Sequence, residues 1–308
     1  MRDHVARTQT RVADASPMVN RISKKGKNQP TSLSHGRPPS SHGVKKSMTA
    51  KVTRTLIRSH HQLHKSLADA ERSGNHGQAT LLRDQIERQG GLEAYQQASL
   101  QGQALDRGGD TSKVLLEWLQ PDLENTTETY RMLEVGALST SNACSRSKAF
   151  AVTRIDLHSQ TKGIEEQDFM KRPLPLSSAD TFDIISLSLV VNYVPNASGR
   201  GQMLKRTCQF LNQNDDTGRE LRQVKPSLFL VLPAPCVTNS RYLNEDRLTM
   251  IMESLGYIRA QRKLSSKLVY YLWTYESTHD KSKNQPSDFA KKEVNPGKAR
   301  NNFCIVLD

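Results

Sequence analysis

Two residues about twenty positions apart could together hold a nucleoside. Gly136 follows the short apolar run 130–135, and Asp156 ends a second apolar run that begins at Phe150. In a βαβ unit, a glycine after the first strand lets a ligand approach the backbone, and an acid at the end of the next strand accepts hydrogen bonds from ribose hydroxyls. Each residue alone could be a turn glycine or an exposed acid. Together they predict a nucleoside-binding site.

Further candidates lie on the next two predicted strands. Asp168 and Phe169 end the third strand, and Ser186 and Leu187 lie in the fourth. The acid can accept the amino hydrogens of an adenine, the phenyl ring can cover the base, and the fourth strand would face the reactive end of the ligand. Dinucleotide sites carry three glycines after the first strand, whereas only one is present here. The set therefore favours S-adenosylmethionine (SAM) over NAD, and no metal is expected.

The elements that must position these residues alternate between strands and helices, which predicts a parallel sheet. The last two apolar runs, 267–275 and 303–307, have no helical stripe between them, so we predict that they are antiparallel neighbours. A seven-stranded sheet with an antiparallel last strand is typical of SAM-dependent methyltransferases, and it disfavours a NAD-dependent oxidoreductase. We therefore predict an α/β fold with a Rossmann-like methyltransferase domain over residues 128–308.

A helical region precedes this sheet. Leucines 56, 63 and 67 fall at steps of seven and four, which lines one face of a helix. Glycines and Pro121 divide the rest into further short helices, so we predict a helical domain over residues 54–121. His60 and His64 are four residues apart, as two metal ligands could be, but no third ligand stands nearby. We expect this face to meet the next domain or RNA.

The positive charge is concentrated at the start of the chain. The 308 residues carry a net charge of +13, and residues 1–54 hold 12 Lys or Arg but only two Asp or Glu. This segment has few large apolar residues, so we predict a disordered basic tail over residues 1–53. It is either a solvated tail or an arm for nuclear import or phosphate binding. No run of 18 apolar residues occurs, so we expect no membrane association.

Several long motifs resemble those of the fungal 25S ribosomal RNA adenine-N(1) methyltransferases. The resemblance covers about residues 54–308 and is carried by GGLEAYQQAS at 90–99, RGGDTSK at 107–113, LEVGAL at 133–138 and SLVVNYVP at 188–195. It implies an enzyme of the nucleus and nucleolus that acts in ribosome biogenesis. The implied reaction is methylation of N1 of an adenine in large-subunit rRNA, free or in a pre-ribosomal particle, with SAM as the cofactor.

The same resemblance carries Gly136 and Asp156 over as SAM contacts. Animal relatives of this family include a SAM-sensing regulator of nutrient signalling. A protein that binds SAM and regulates a protein partner without methyl transfer therefore stays open as the alternative. The oligomeric state and the role of the polar insert 277–300 also stay open.

The acceptor side is predicted to follow the fourth strand. Methyl transfer needs alignment more than acid–base chemistry, and adenine N1 must be presented outside a base pair. We predict that Asn192 hydrogen-bonds the base edge and that Tyr193 stacks on the ring or closes the pocket. The alternative is an ordinary strand-to-helix turn with a buried aromatic. Arg200 is a candidate phosphate contact, or else it makes local contacts.

Overall fold

The computed structural model describes residues 49–102, 109–124, 126–159, 161–212, 223–276 and 289–308. All of these belong to one compact unit. Nearly all of the predicted basic tail and residues 277–288 of the insert lie outside the described residues. No helix in the described part of the chain is long and apolar enough to cross a membrane.

Four helices precede the sheet: α1 (Ala50–Arg72), α2 (His76–Arg88), α3 (Gly91–Gly102) and α4 (Ser112–Leu123). The Thr49 side chain caps α1 by accepting a hydrogen bond from the Val52 amide at 3.3 Å. Gly74 follows α1 with a φ of +69°, which glycine adopts without strain. The helix α4 continues through Pro121 to Leu123, whereas the sequence analysis expected Pro121 to end it.

The sheet has seven strands in the order β3-β2-β1-β4-β5-β7-β6. The first five are mutually parallel, and β7 is antiparallel to both of its neighbours. The strands are β1 (Tyr130–Val135), β2 (Phe150–Asp156), β3 (Glu165–Glu166), β4 (Ile184–Ser188), β5 (Ser227–Pro233), β6 (Tyr257–Leu264) and β7 (Leu268–Tyr275). This confirms the predicted fold class. Since strand order reverses between β1 and β4, a crevice is expected beyond their carboxyl ends.

The helices α5 (Ala143–Arg146), α6 (Ala197–Phe210), α7 (Pro235–Thr238) and α8 (Glu245–Ser254) follow the strands in turn. Central strands such as β5 are apolar on both faces, and residues 228–232 of β5 are all buried. This is the pattern of a strand covered on both sides, and it fixes the sheet as the rigid centre of the molecule.

The final hairpin differs from the prediction. It is formed by β6 and β7, whereas residues 303–307 lie outside the named strands and run beside α6. The Val306 amide donates to the Ala197 carbonyl at 3.1 Å, and a Cβ on Gly201 would lie 1.8 Å from the Val306 oxygen. The prediction was wrong because β6 is an edge strand. Only its first residue, Tyr257, is buried, so no apolar alternation marks it.

Candidate active site

Gly136 lies directly after β1 with a φ of +72°, a conformation that bulky residues rarely adopt. A Cβ on this residue would come within 2.7 Å of Cγ2 of Val190, which follows β4. The chain therefore turns sharply at the switch point between β1 and β4. The glycine lets the segment after β4 approach the end of β1.

Asp156 is the last residue of β2, which pairs with β1 in parallel. Because Val135 pairs with Ile155, Gly136 and Asp156 leave neighbouring strands at the same edge of the sheet. Oδ1 of Asp156 accepts a hydrogen bond from the His158 amide at 2.9 Å, which fixes the turn after the strand. The structure therefore brings these two predicted residues together.

The two residues predicted at the end of the third strand, Asp168 and Phe169, are arranged differently. Strand β3 is only two residues long, so Asp168 lies beyond it and caps a 3₁₀ turn by accepting from the Met170 amide at 2.8 Å. The Phe169 side chain is 2% exposed and packs 5.4 Å from the Phe210 ring. The expectation that this ring covers an adenine is therefore not met, because the ring belongs to the hydrophobic core.

The two residues predicted to lie in the fourth strand, Ser186 and Leu187, do lie in β4. Ser186 and Leu187 are buried within β4, which continues to Ser188. The end of the strand is instead formed by Ser188, whose hydroxyl lies 2.8 Å from that of Thr111, and by Leu189, which has a φ of +60°. Strained backbone of this kind concentrates at functional sites. Ser188 and Leu189, rather than the buried Ser186 and Leu187, therefore stand at the carboxyl end of β4.

Glu134 is a further candidate site residue, which was not predicted from the sequence. It lies in β1, two residues before Gly136, and its Oε1 accepts a hydrogen bond from Asn142 Nδ2 at 2.7 Å. Its Oε2 is buried without a hydrogen-bond partner among the described residues. Burial raises the pKa of this carboxyl. The signal available in the sequence was an acid inside an otherwise apolar strand.

A loop before α4 adds a second acid beside Glu134. Oδ1 of Asp110 accepts from the Ser112 amide at 3.0 Å and from its hydroxyl at 2.6 Å, and Oδ2 accepts from the Ala143 amide at 2.5 Å. The carboxylate thereby fastens the start of α4 to the segment after Gly136. Its charge also contributes to the raised pKa of Glu134.

Asn192 and Tyr193 lie in a 3₁₀ turn directly after β4, as expected. Oδ1 of Asn192 is buried and has no hydrogen-bond partner within the described parts of the chain. A buried acceptor left unpaired costs about 1–3 kcal/mol, so this oxygen is suited to a ligand N–H group. An exocyclic amino group of a base is such a donor.

The Tyr193 ring contacts the helical region. Tyr95 of α3 meets it edge-on, with the ring centres 5.3 Å apart, and Tyr95 in turn stacks on His60 of α1 at 4.6 Å. His64 follows at 4.3 Å from His60. We call these four side chains the aromatic ladder. Burial, with a contribution from His64, lowers the pKa of His60 to about 4, so the imidazole is neutral at pH 7. The predicted contact between this helix face and the next domain is made through the ladder.

Arg200 makes the local contacts that were its alternative role. Its guanidinium donates to the backbone carbonyls of Val194 at 2.9 Å, Cys304 at 2.7 Å and Pro195 at 3.3 Å. It also lies 4.5 Å from the centre of the Phe303 ring. Arg200 thus ties the segment after Tyr193 to the end of the chain.

The chemistry of the site suits a cationic nucleoside. Gly136 and Asp156 stand at neighbouring strand ends, and the unpaired oxygen of Glu134 is suited to a positively charged group. SAM carries an ammonium, a sulfonium and a ribose, so the residues present fit this molecule. In the described residues there is no group of three or more His, Cys, Asp or Glu that could hold a metal ion.

The strand order, the antiparallel β7 and the site at the β1–β4 switch point define the Rossmann-like fold class of the SAM-dependent methyltransferases. A family model described as 25S rRNA (adenine(2142)-N(1))-methyltransferase, Bmt2, matches residues 80–305. The chain belongs to this family, which confirms the resemblance seen in its motifs.

Two curated relatives are similar over most of the chain. A Saccharomyces cerevisiae protein named 25S rRNA (adenine(2142)-N(1))-methyltransferase is 42% identical over 230 residues, which are 73% of this chain and 63% of that protein. A Schizosaccharomyces pombe protein named 25S rRNA adenine-N(1) methyltransferase is 40% identical over 220 residues, covering 70% of this chain and 76% of that protein. The match thus spans less than two thirds of the S. cerevisiae protein.

Solved structures resemble the chain more distantly. The N-methyltransferase NodS from Bradyrhizobium japonicum WM9, in complex with S-adenosyl-L-homocysteine, is 12% identical with a TM-score of 0.36, covering 53% of this chain and 86% of its own. A SAM-dependent methyltransferase from Aquifex aeolicus is 15% identical with a TM-score of 0.32, covering 53% and 93%. The assignment of the fold rests on the strand order given above.

Proposed function

We propose that this chain is a SAM-dependent methyltransferase that modifies N1 of an adenine in 25S rRNA. Membership of the family and the names of its two relatives support this activity. The observation that carries the proposal is the proximity of the candidate donor segment, at Gly136, to the candidate acceptor segment that follows β4. The residue that approaches Gly136 is Val190, and Asn192, with its unpaired oxygen, follows two positions later.

The donor side of the site is proposed to use three carboxylates and one glycine. Asp156 would accept hydrogen bonds from the ribose, Asp168 from the adenine of the cofactor, and Glu134 from its ammonium group. Gly136 would leave room for the methionine portion. When bound, SAM supplies an electrophilic methyl group to the lone pair of the acceptor nitrogen. Ser186 and Leu187 would support this end of the site from within β4.

The acceptor side is proposed to depend on Asn192 and Tyr193. Oδ1 of Asn192 would accept a hydrogen bond from the amino group of the target adenine, which fixes the edge that carries N1. Tyr193 would close the pocket and exclude water. N1 of adenine has a lone pair and no hydrogen, so it could take the methyl group from the sulfonium without loss of a proton from N1, and the donor would leave as a neutral thioether. The site therefore needs positioning groups rather than a general base.

The biological setting remains part of the proposal. We propose that the substrate is large-subunit rRNA, either free or in a pre-ribosomal particle, and that the protein acts in ribosome biogenesis in the nucleus and nucleolus. The basic tail over residues 1–53 would supply import signals or additional contacts with phosphates. The helical domain, residues 54–121, and the methyltransferase domain, residues 128–308, would then supply different sides of one site.

The activity is tested by incubating the purified protein with labelled SAM and an unmodified 25S rRNA transcript, followed by mass spectrometry of the nucleosides. We expect N1-methyladenine from the wild-type protein and none from Asp156→Ala, which should lose SAM binding. Asn192→Ala should bind SAM normally but lose about 100-fold in activity, as removal of one essential positioning hydrogen bond does.

The matched control for Asn192 is Asn244→Ala. Asn244 caps α8 by accepting from the Arg247 amide at 2.9 Å, so its loss costs about 1 kcal/mol of stability but removes nothing from the site. SAM binding by the wild-type protein without any methyl transfer would refute the enzyme and favour the SAM-sensing alternative. Methylation at another atom of the base would refute the proposed role of Asn192.

A further inference from the structure

The helix α1 has two chemically different faces. One face points into the molecule and includes the buried Thr53, His60 and Ala70. The other face carries Lys51, Arg58 and Lys65, all exposed and spaced seven residues apart. Seven residues make nearly two helical turns, so these side chains form a line with steps of about 10 Å along the axis. We call these three residues the basic stripe.

The charge of the basic stripe is not balanced by nearby acids. Residues 50–68 contain four Lys or Arg and no Asp or Glu. No member of the stripe forms an ion pair within the described residues. Further along the same helix, by contrast, Arg72 pairs with Asp69 at 3.2 Å, and Glu71 pairs with Arg83 of α2 at 2.5 Å. The first five turns of α1 therefore present positive charge that nothing in the described structure neutralises.

The same helix is built into the acceptor side of the site. His60 lies on the inward face of α1, between the levels of Arg58 and Lys65, and stacks on Tyr95, which contacts Tyr193. A polymer bound along the outward face of α1 would therefore lie on the same helix whose inward face supports the acceptor segment. Two ring contacts connect the inward face of α1 to Tyr193 of the proposed base pocket.

We propose that the basic stripe binds the phosphate backbone of the RNA whose adenine enters the acceptor site. This inference rests on the proposed function and names a surface for its substrate. A polyanion matches a line of unpaired cations, and each phosphate that is neutralised releases a counterion. Beside the cations, the exposed surface of α1 carries the polar Thr55, Gln62 and Ser66, and Val52 is the large apolar side chain exposed there. One exposed valine is far less apolar surface than a membrane-binding helix inserts into lipid.

The test compares two double variants with the same loss of charge. R58Q/K65Q removes two members of the stripe, and K148Q/K225Q removes two exposed lysines that each lie two residues before a strand, β2 and β5. Lys225 forms an exposed ion pair with Glu276 at 3.4 Å, which contributes at most about 1 kcal/mol, so its loss is expected to leave the fold intact. The amino ends of parallel strands lie at the edge of the sheet opposite the site, so the second variant is the control. Glutamine has nearly the helix propensity of Lys and Arg, so α1 is expected to persist, which circular dichroism verifies.

Affinity for a 25S rRNA transcript is measured by filter binding over a series of salt concentrations. For R58Q/K65Q we expect about tenfold weaker binding and a salt slope that is smaller by about 1.4–1.8, since each phosphate contact adds about 0.7–0.9. Its KM for RNA should rise by a similar factor, while its affinity for SAM stays unchanged. The control should match the wild-type protein in all of these measurements.

The outcomes separate this surface from the proposed activity. If the wild-type protein methylates RNA but R58Q/K65Q has the salt slope and KM of the control, the basic stripe is not the RNA surface. If the wild-type protein binds RNA through the stripe without methyl transfer, the surface stands and the proposed enzyme fails. If R58Q/K65Q loses affinity only for anionic vesicles or an acidic peptide, the partner is not RNA and the inference is overturned.

Discussion

The sheet and the helical region bury very different side chains. In β5, residues 228–232 are Leu, Phe, Leu, Val and Leu, and each is at most 1% exposed. In the described part of α1–α3, the buried side chains are small or polar: Thr53, His60, Ala70, Ala79 and Ala98. The sheet is therefore stabilised by the burial of many large apolar side chains. Helices α1–α3 are stabilised largely by contacts between small or half-buried side chains and by the aromatic ladder.

This difference suits a division of labour within the site. The proposed donor residues Gly136 and Asp156 stand at the ends of buried strands, so we expect their geometry to be fixed before any ligand binds. The proposed acceptor residue Tyr193 contacts Tyr95, which belongs to the less deeply packed region. Regions with little apolar burial open most readily. We expect the helical region to adapt to RNA while the sheet keeps its form.

The largest expected effect comes from placing the same change in both regions. In Gly136→Val, the new Cβ would lie 2.7 Å from Cγ2 of Val190, and the valine would have to adopt a φ of +72°. Because both would distort the turn after β1, SAM affinity should fall by about 1,000-fold or more. Gly74→Val forces a similar φ of +69° between α1 and α2, where a Cβ would meet nothing within 4 Å. It should cost about 1–3 kcal/mol of stability and leave SAM affinity unchanged. Calorimetry with SAM measures the affinity of both variants. If the two variants bound SAM equally well, Gly136 would not belong to the donor site.

A pair of Leu→Ala variants measures the difference in packing directly. Leu230 of β5 is 0% exposed, so Leu230→Ala should cost about 3–4 kcal/mol in the free energy of unfolding. Leu67 of α1 is only half-buried, and Leu67→Ala should cost about 1 kcal/mol. Denaturant unfolding gives both values. Similar costs would show that the helical region is packed as firmly as the sheet.

The aromatic ladder is tested at Tyr95, the link between the regions. Tyr95→Ala removes the ring that supports Tyr193, so kcat/KM for RNA should fall by about tenfold, consistent with a loss of about 1.4 kcal/mol. Tyr95→Phe keeps the ring and should restore most of the activity. SAM affinity should be the same in both variants. If Tyr95→Ala has an equally large effect when Tyr193 is already alanine, Tyr95 does not act through Tyr193.

An effect of similarly small size is a dependence of stability on pH that arises in the helices. The folded protein lowers the pKa of His60 to about 4, so the unfolded chain binds the proton more tightly. His60 therefore contributes stability above its unfolded pKa of about 6.5, and this is lost as the pH falls towards 4. We expect a loss of about 1–2 kcal/mol in the free energy of unfolding. A shift of one pKa unit corresponds to about 1.4 kcal/mol, and solvent around the exposed His64 makes the expected loss smaller than the whole shift would give.

Thermal unfolding between pH 7 and pH 4 measures this effect. The variant His60→Gln should show a shallower decline than the wild-type protein, because its side chain does not titrate. A decline of the same steepness in both proteins would place the acid-sensitive group elsewhere.

The positions of the proposed donor residues could be predicted from the sequence because they depend on local patterns. Gly136 and Asp156 each stand at the end of a strand, and the strands were marked by their apolar residues. Phe169 was assigned wrongly because the same residue type serves a core and a ligand equally well in sequence. Only its packing on Phe210 distinguishes the two roles.

The final hairpin shows a different limit of the sequence. An edge strand needs no apolar face, so β6 left no pattern, while the apolar residues 303–307 looked like a strand although they pack beside α6. Apolar periodicity reports burial rather than the hydrogen-bonded partner. It therefore predicts that a segment is covered but not by which element.

By itself, the amino-acid sequence determined the α/β class, the helical region before the sheet, and the order of the donor residues along the chain, because each of these depends on neighbouring residues. The tertiary structure alone decided which distant side chains meet. It placed Tyr95 against Tyr193 and set the basic stripe on the outside of the helix that holds His60. It also left one oxygen of Glu134 and one of Asn192 without a hydrogen-bond partner among the described residues. Such contacts depend on how whole elements pack, and no local pattern of residues encodes them.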